Sequence, residues 1–180
     1  MSKRAILVVD LQNEYWPDGN LPLHGIEAAA HNAARVIAHA RSRGDLVVNI
    51  RHEIPGGPIF VPGSAGARIN DVVAPAQDEA VITKNHPNSF RETGLKDLLD
   101  EHGVRDVVVV GAMSHMCIDA TTRAANDHGF ATTTIHDACP TRDIEFGGQT
   151  APAAHVHTAI MGALAFLYGD VISTQDFLKT

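Results

Sequence analysis

The sequence predicts an α/β protein in which a parallel β-sheet lies between two layers of helices. Short, wholly apolar runs are typical of strands that are buried on both faces. Segments with apolar residues at helical spacing alternate with these runs, and glycines follow several of them. Strands that alternate with helices form βαβ units, so the strands are expected to run parallel. Residues 1–180 contain no repeat, linker or low-complexity tract, which indicates a single domain.

The elements follow from the same patterns, taken along the chain. The predicted strands are residues 5–9, 46–50, 80–83, 106–110, 131–136 and 171–172. The predicted helices are residues 27–43, 92–102, 117–128 and 153–167. In two helices, the spacing predicts which residues share one face towards the core. They are Leu95, Leu98, Leu99 and His102 in one, and Val156, Ile160, Ala163, Leu164 and Leu167 in the other. Thr174 is expected to cap a last helical turn, and residues 53–79 and 141–150 are expected to be loops.

Composition and charge exclude several classes of protein. The net charge of −7 argues against a nucleic-acid partner or an anionic membrane surface, because both require clustered Lys and Arg. No apolar run reaches the 18 residues that a transmembrane helix needs. Cys117 and Cys139 are too few for a disulfide framework, and no cleavable signal peptide is recognised. We therefore expect a cytoplasmic protein with free thiols.

Reactive side chains directly follow three of the predicted strands. Asp10 follows the first, Lys84 follows the third, and the segment GAMSHMC, which ends at Cys117, follows the fourth. Ligands of open parallel sheets bind outside the carboxyl ends of the strands. An acid, an amine and a thiol are therefore expected at one edge of the sheet.

Cys117 is the most informative of the three, because it is predicted at the start of a helix. The unpaired N–H groups and the dipole of a helix N-terminus lower the pKa of a thiol, and Lys84 would lower it further. The same N–H groups can hold an oxyanion, and Asp10 can act as general base and acid. The alternative is a small buried cysteine that only packs. Cys139 precedes Pro140 and a loop, so we interpret it as a packing or pocket-edge residue.

Other chemistries have weaker support. The chain has 11 histidines but no His-x-x-x-His pair, so neither a metal site nor a cofactor is expected. Neither the dinucleotide fingerprint nor the phosphate-binding loop motif occurs. An aspartyl-phosphate hydrolase usually has a second Asp two residues after its nucleophile, and here that position is Gln12.

Several motifs, in the correct order, resemble the isochorismatase-like cysteine hydrolases over nearly the whole chain. They are Asp10, KNHPNSF at 84–90, GAMSHMCIDAT at 111–121, DAC at 137–139 and VISTQDF at 171–177. The superfamily includes nicotinamidase, N-carbamoylsarcosine amidohydrolase and streptothricin hydrolase. The resemblance implies a three-layer α/β/α Rossmann-like fold with a six-stranded parallel sheet. It also implies an Asp10–Lys84–Cys117 triad, a cis peptide before Met113, an oxyanion hole made by the backbone N–H groups of Met113 and Cys117, and a homodimer or homotetramer.

Two departures from the family narrow the expected reaction. Nicotinamidases carry an Asp-x-His metal motif after the second strand, where this chain has Arg51, His52 and Glu53. Members with isochorismatase activity replace the nucleophilic cysteine, whereas Cys117 is present here. The segments SHMC and FGG, at 146–148, are most similar to the streptothricin-hydrolase-like branch.

The expected function is therefore the hydrolysis of an amide, cyclic amide or ureido C–N bond of a small molecule through a thioester. Candidate substrate-binding residues lie after strands or near the motifs: Gln12, Trp16, His86, Phe90, His115 and Phe146. Two alternatives remain, a binding protein without turnover and a redox-sensing thiol protein in which Cys139 resolves the oxidised Cys117.

Overall fold

The computed structural model describes residues 4–180 and confirms the predicted three-layer α/β/α fold. Its main sheet has six strands in the order β3-β2-β1-β4-β5-β8, and every neighbouring pair is parallel. These strands are β1 (Arg4–Val9), β2 (Leu46–His52), β3 (Ala80–Lys84), β4 (Asp106–Gly111), β5 (Ala131–Ile135) and β8 (Asp170–Ile172). A separate antiparallel hairpin consists of β6 (Ile144–Phe146) and β7 (Gln149–Ala151).

Within residues 4–180, five α-helices accompany the sheet. They are α1 (Ile26–Arg43), α2 (Leu95–Glu101), α3 (Asp119–Asp127), α4 (Ala153–Leu167) and α5 (Thr174–Phe177). Alternate side chains of each strand point to opposite faces, so the sheet divides the core into two clusters. One cluster joins the sheet to α1 and to Phe177 of α5, and the other joins it to residues of α2, α3 and α4. No helix within residues 4–180 has both the length and the apolar character needed to cross a membrane.

The middle of the sheet brings the ends of β1 and β4 into very close contact. Val9 pairs with Gly111, whose φ is +128°. A Cβ atom at position 111 would lie 1.9 Å from the carbonyl oxygen of Val9. Only glycine permits this approach, because it has no Cβ and adopts positive φ freely. The segments that follow both strands therefore begin side by side.

Four details of the sequence prediction are wrong. The helix predicted over residues 92–102 begins at Leu95, and His102 is exposed. The hydroxyl of Thr93 bonds the Ser89 carbonyl and accepts from the Leu95 N–H, so the preceding residues form turns. Residues 144–151 form the hairpin instead of a continuous loop. The side chain of Ser173, not of Thr174, caps α5 by accepting from the N–H of Asp176.

The inner face of α4 is also narrower than predicted. Val156, Met161 and Leu164 are buried, but Ala163 is exposed and 72% of Leu167 is accessible to solvent. Ile160 is half-buried. Because α4 lies at the end of the sheet, against α3 and the short strand β8, it has fewer neighbours to cover its apolar side chains.

Candidate active site

Asp10 and Lys84 form a buried ion pair at the carboxyl edge of the sheet. Asp10 is the first residue after β1 and has a left-handed φ of +53°, while Lys84 ends β3. Lys84 Nζ lies 2.7 Å from Asp10 Oδ2, and neither side chain is accessible to solvent. Asp10 Oδ1 is buried and has no hydrogen-bond partner within residues 4–180. One carboxylate oxygen is therefore held by the ammonium group, and the other is available for a proton.

The thiol of Cys117 lies next to this pair. A donor atom of Asp10, one of His52 and the Cys117 sulfur all lie within 4.8 Å of one another. Cys117 belongs to a π-helical turn, Ser114–Ile118, which precedes α3. The predicted helix start at Cys117 is therefore three residues late, because the backbone already coils from Ser114. π-helical turns occur frequently at functional sites.

The expectation of a lowered thiol pKa is wrong for the free protein. Burial raises the pKa of Cys117 well above its usual value, and the Asp10 carboxylate raises it further, while Lys84 opposes both. Only 6% of the residue is exposed, so water contributes little to stabilising a thiolate. The resting group is therefore a thiol beside a carboxylate that can accept its proton.

One backbone feature near Cys117 is the cis peptide that the family resemblance implies. The peptide bond between Ala112 and Met113 is cis. The Met113 carbonyl accepts from the N–H groups of Met116 and Ile118, which fixes the turn. No acceptor for the Met113 N–H is found in the described part of the chain. This N–H is therefore available to bind an oxygen atom that develops negative charge.

Three further side chains at this site were not identified from the sequence. The Tyr15 and Phe60 rings meet edge to face at 5.1 Å, and the Phe60 and His52 rings do so at 5.5 Å. Burial raises the pKa of Tyr15 well above its usual value, and negative charge on Cys117 or Asp10 raises it further. Phe60 comes from the long loop after β2, so only long-range packing brings it here.

Gln12 and Trp16, predicted to bind substrate, have different surroundings. The Gln12 amide donates to the carbonyls of His52 and Ala67 at 2.8 Å each and accepts from the His52 N–H at 2.7 Å. It therefore ties the end of β2 to the loop. Trp16 is half-buried and lines a separate cavity of about 600 Å³ with Glu14 and Gly66.

The other four candidates are dispersed. His86 contacts Glu92 through its ring, and its carbonyl accepts from Lys84 Nζ at 3.1 Å. Phe90 is buried in the core, where it packs on the rings of His128 and Phe130. The two remaining candidates are His115, whose Nδ1 lies 2.5 Å from Thr141 Oγ1, and Phe146, which is 88% exposed on the hairpin. Of the four, His86 is the one in direct contact with the triad, through its backbone.

The donor atoms of Asp10, His52 and Cys117 are close enough to hold a metal ion, but their electrostatics do not fit one. Lys84 Nζ lies 2.7 Å from Asp10 Oδ2 and 3.0 Å from His52 Nδ1. The ammonium group thus already supplies the positive charge that a metal ion would bring to these two ligand atoms. A divalent cation would have to displace it.

Cys139 is poorly placed to resolve an oxidised Cys117. It is 1% exposed, its sulfur lies 4.0 Å from the carbonyl oxygen of Val109, and both cysteines are free. Burial raises the pKa of Cys139 far above its usual value, which disfavours the thiolate that a resolving cysteine needs. This environment is that of a packing residue.

Comparisons with known proteins agree with the fold and with the family resemblance. Residues 4–176 match the model of the isochorismatase domain. A crystal structure of an isochorismatase hydrolase from Oleispira antarctica is 48% identical, with a TM-score of 0.95, and the match covers 98% of this chain and 96% of that one.

Two similar proteins carry names that state an activity. A streptothricin hydrolase from Streptomyces noursei is 35% identical over 89% of this chain and 59% of its own length. A maleamate amidohydrolase from Pseudomonas putida is 32% identical over 98% of this chain and 86% of its own length. Since the family model spans nearly the entire sequence, the chain belongs to the isochorismatase family of hydrolases.

Proposed function

We propose that this protein hydrolyses a C–N amide or ureido bond of a small molecule through a thioester formed on Cys117. The observation that carries the proposal is the pairing of a buried thiol with a carboxylate whose Oδ1 has no partner within the described residues. Lys84 holds the other oxygen of Asp10 at 2.7 Å. This arrangement provides a nucleophile, a base and a fixed positive charge in one place.

The first half of the reaction forms the acyl-enzyme. Asp10 takes the thiol proton as the Cys117 sulfur attacks the carbonyl carbon of the substrate. The carbonyl oxygen becomes an oxyanion that accepts from the backbone N–H groups of Met113 and Cys117. Each donor of this kind lowers the barrier by about 3–4 kcal/mol. Asp10 then gives its proton to the leaving nitrogen, the C–N bond breaks, and an amine or ammonia departs.

The second half of the reaction regenerates the enzyme. Asp10 removes a proton from a water molecule, which attacks the thioester carbonyl. A second tetrahedral intermediate collapses, the C–S bond breaks, and Asp10 returns the proton to the sulfur. The products are a carboxylic acid and the original thiol. Lys84 Nζ holds Asp10 Oδ2 at 2.7 Å, which leaves Oδ1 to receive and return the proton in each transfer.

The raised pKa of Cys117 fits this order of events. A thiol that is already ionised at rest would be exposed to adventitious oxidants and electrophiles. A thiol whose proton passes to Asp10 only during attack is protected until a substrate is bound. The similarity to proteins named maleamate amidohydrolase and streptothricin hydrolase supports an amide as the bond that is cleaved.

The test is a panel of maleamate, ureidoacrylate, N-carbamoylsarcosine and streptothricin. The first three compounds are assayed for release of ammonia or an amine, and streptothricin, the cyclic amide, for the ring-opened acid. Intact-protein mass spectrometry after rapid quenching should detect a Cys117 adduct with the mass of the acyl group. Cys117→Ala should abolish both signals, and Cys139→Ala should retain them. Turnover that persists in Cys117→Ala, or turnover without any adduct on a slow substrate, would contradict the mechanism.

We also infer that the protein forms a homodimer or homotetramer through α4. The helix carries no charged residue over its 15 positions, and Phe166 is 87% exposed at its end. An apolar surface of this kind is typical of an interface. Light scattering after gel filtration should give a multiple of 19.2 kDa, and Phe166→Glu should lower it. A monomeric wild-type protein would contradict this proposal.

We propose the cytoplasm as the compartment, because both cysteines are unpaired and an oxidising environment would threaten a catalytic thiol. Fractionation of cells that express the tagged natural chain would test this. Recovery of the protein outside the cell, without lysis, would contradict it.

A further inference from the structure

His52 is a buried ionisable side chain that contacts Lys84 of the triad and that the proposed reaction does not use. It ends β2, and 9% of the residue is exposed. Its Nδ1 atom lies 3.0 Å from Lys84 Nζ. The Phe60 ring packs against its imidazole edge to face at 5.5 Å. The imidazole is therefore fixed on one side by an aromatic ring and on the other by an ammonium group.

The Lys84 contact determines the state of the imidazole. A lysine ammonium has three N–H donors and no acceptor. Its three partners here are Asp10 Oδ2 at 2.7 Å, His52 Nδ1 at 3.0 Å and the His86 carbonyl at 3.1 Å. A contact between an ammonium and Nδ1 is a hydrogen bond only if Nδ1 carries no proton. The imidazole must then be neutral, with its proton on Nε2.

We infer that His52 is a positioning residue for the proposed hydrolysis: its neutral Nδ1 fixes the Lys84 ammonium against Asp10. The inference rests on the proposed function only in that the triad must be catalytic for the positioning to affect turnover. Without the Nδ1 acceptor, one Lys84 N–H would lose its partner, and the Cys117 sulfur, which also interacts with Lys84, is another acceptor at this buried site. Lys84 would rotate to find another acceptor, and its charge would move relative to Asp10 and Cys117.

The surrounding charges favour the neutral imidazole. Burial lowers the pKa of His52, and the Lys84 and His86 charges lower it further, whereas the Asp10 carboxylate raises it. The Cys117 sulfur also lies within 4.8 Å. Protonation of His52 would place a cation against Lys84, so we expect activity to fall when His52 is protonated, at a pH below the usual histidine range near 6.5.

The state of the imidazole can be measured without any substrate. Long-range ¹H–¹⁵N spectra of protein labelled at histidine distinguish the two neutral tautomers from the cation. His52, assigned by comparison with His52→Asn, should be the Nε2–H tautomer at neutral pH, with a pKa below the usual histidine value near 6.5. An Nδ1–H tautomer, or an imidazolium at neutral pH, would overturn the inference.

Variants test the positioning itself. His52→Leu removes the acceptor, whereas His52→Asn keeps an acceptor atom near the place of Nδ1. His39→Leu is a matched control, because His39 also packs edge to face on a phenylalanine, Phe177, at 5.5 Å. We expect iodoacetamide to alkylate Cys117 about tenfold more slowly in His52→Leu, equivalent to a rise of about one unit in the pKa of Cys117. In His52→Asn and His39→Leu, the rate should stay near that of the wild type.

Turnover provides the second readout. On any amide of the panel that the wild type cleaves, kcat and kcat/KM should fall together in His52→Leu, on the order of 10²-fold. His52→Asn should recover most of kcat. Its activity should no longer show the fall at low pH that protonation of His52 causes. Equal losses in His52→Leu and His52→Asn, with wild-type alkylation in both, would refute positioning. If no amide is cleaved, the proposed function fails, but the spectra and the alkylation rates still decide the role of His52.

Discussion

Lys84 Nζ lies 2.7 Å from Asp10 Oδ2, in a place where neither side chain is accessible to solvent. The two residues are 74 positions apart and follow strands that are separated by β2. A buried ion pair of this kind contributes little to net stability, because desolvation of both charges offsets their attraction. The pair places a carboxylate beside the Cys117 thiol, where the proposed reaction needs a base.

Asp10→Asn should inactivate the protein and also destabilise it. Asparagine is nearly isosteric and tolerates the left-handed φ of +53° at this position. It cannot accept the thiol proton, so we expect kcat to fall on the order of 10²–10⁴-fold. It also leaves the Lys84 charge buried without a counter-ion, which costs about 3–5 kcal/mol. Urea denaturation measures the second effect.

The double variant Asp10→Asn/Lys84→Met separates the two effects. Removing both charges should restore most of the free energy of unfolding, because an uncharged pair has no uncompensated charge to bury. Activity should stay at the level of Asp10→Asn. If the double variant regains activity, Asp10 is not the base; if it remains as unstable as the single variant, the ion pair is not the cause of the instability.

The reactivity of Cys117 should increase with pH beyond the range of an ordinary thiol. Burial and Asp10 raise its pKa, so the thiolate fraction is small at neutral pH. In a Cys139→Ser background, the iodoacetamide rate should still be rising above pH 8.5, near the usual thiol pKa. Asp10→Asn removes one of the raising charges and should shift this profile to lower pH. A plateau at neutral pH would show an ionised resting thiolate instead.

Gln12→Leu should act on stability and loop order more than on substrate affinity. The amide makes three buried hydrogen bonds, to His52 twice and to Ala67. Each buried backbone group that loses its partner costs about 1–3 kcal/mol. We expect a lower free energy of unfolding and faster hydrogen exchange over residues 53–79, with Gln149→Leu, at an exposed position, as the control. An unchanged stability with a raised KM would indicate a substrate contact.

Gly111→Ala should disrupt the junction of β1 and β4. Its Cβ atom would lie 1.9 Å from the Val9 carbonyl oxygen, so the strand ends must separate. Gly129→Ala is a matched control, because Gly129 also has a positive φ, +87°, but open space around it. The control should lose about 1–3 kcal/mol from backbone strain. Thermal unfolding should show a clearly larger loss for Gly111→Ala, and comparable losses would contradict the steric argument.

Much of the fold and the triad could be predicted because the evidence is local in sequence. A strand buried on both faces is a wholly apolar run, and the residue after it lies at the ligand-binding edge of a parallel sheet. Asp10 and Lys84 could therefore be placed from the runs that precede them. Cys117 required the additional motif around it, since a cysteine at a helix start is equally compatible with packing.

The rest of the site depends on contacts that no local pattern records. Tyr15 and Phe60 meet only because the loop after β2 returns to the chain after β1, where Asn13 and Glu14 donate to the carbonyls of Arg68 and Gly66. The pKa of Cys117 was predicted in the wrong direction because helix position is visible in sequence, whereas the depth of burial is not.

The strand order has a consequence for how activity arises during biosynthesis. The base, ammonium group and nucleophile of the proposed reaction lie at the ends of three different strands, β1, β3 and β4, so no single strand and its crossover carry all three. A nascent chain that has not yet paired β4 with β1 presents a thiol without its proton acceptor. In the proposed reaction, hydrolysis begins only after β1, β3 and β4 have aligned, so a polypeptide in which these strands are not yet paired is expected to be inactive.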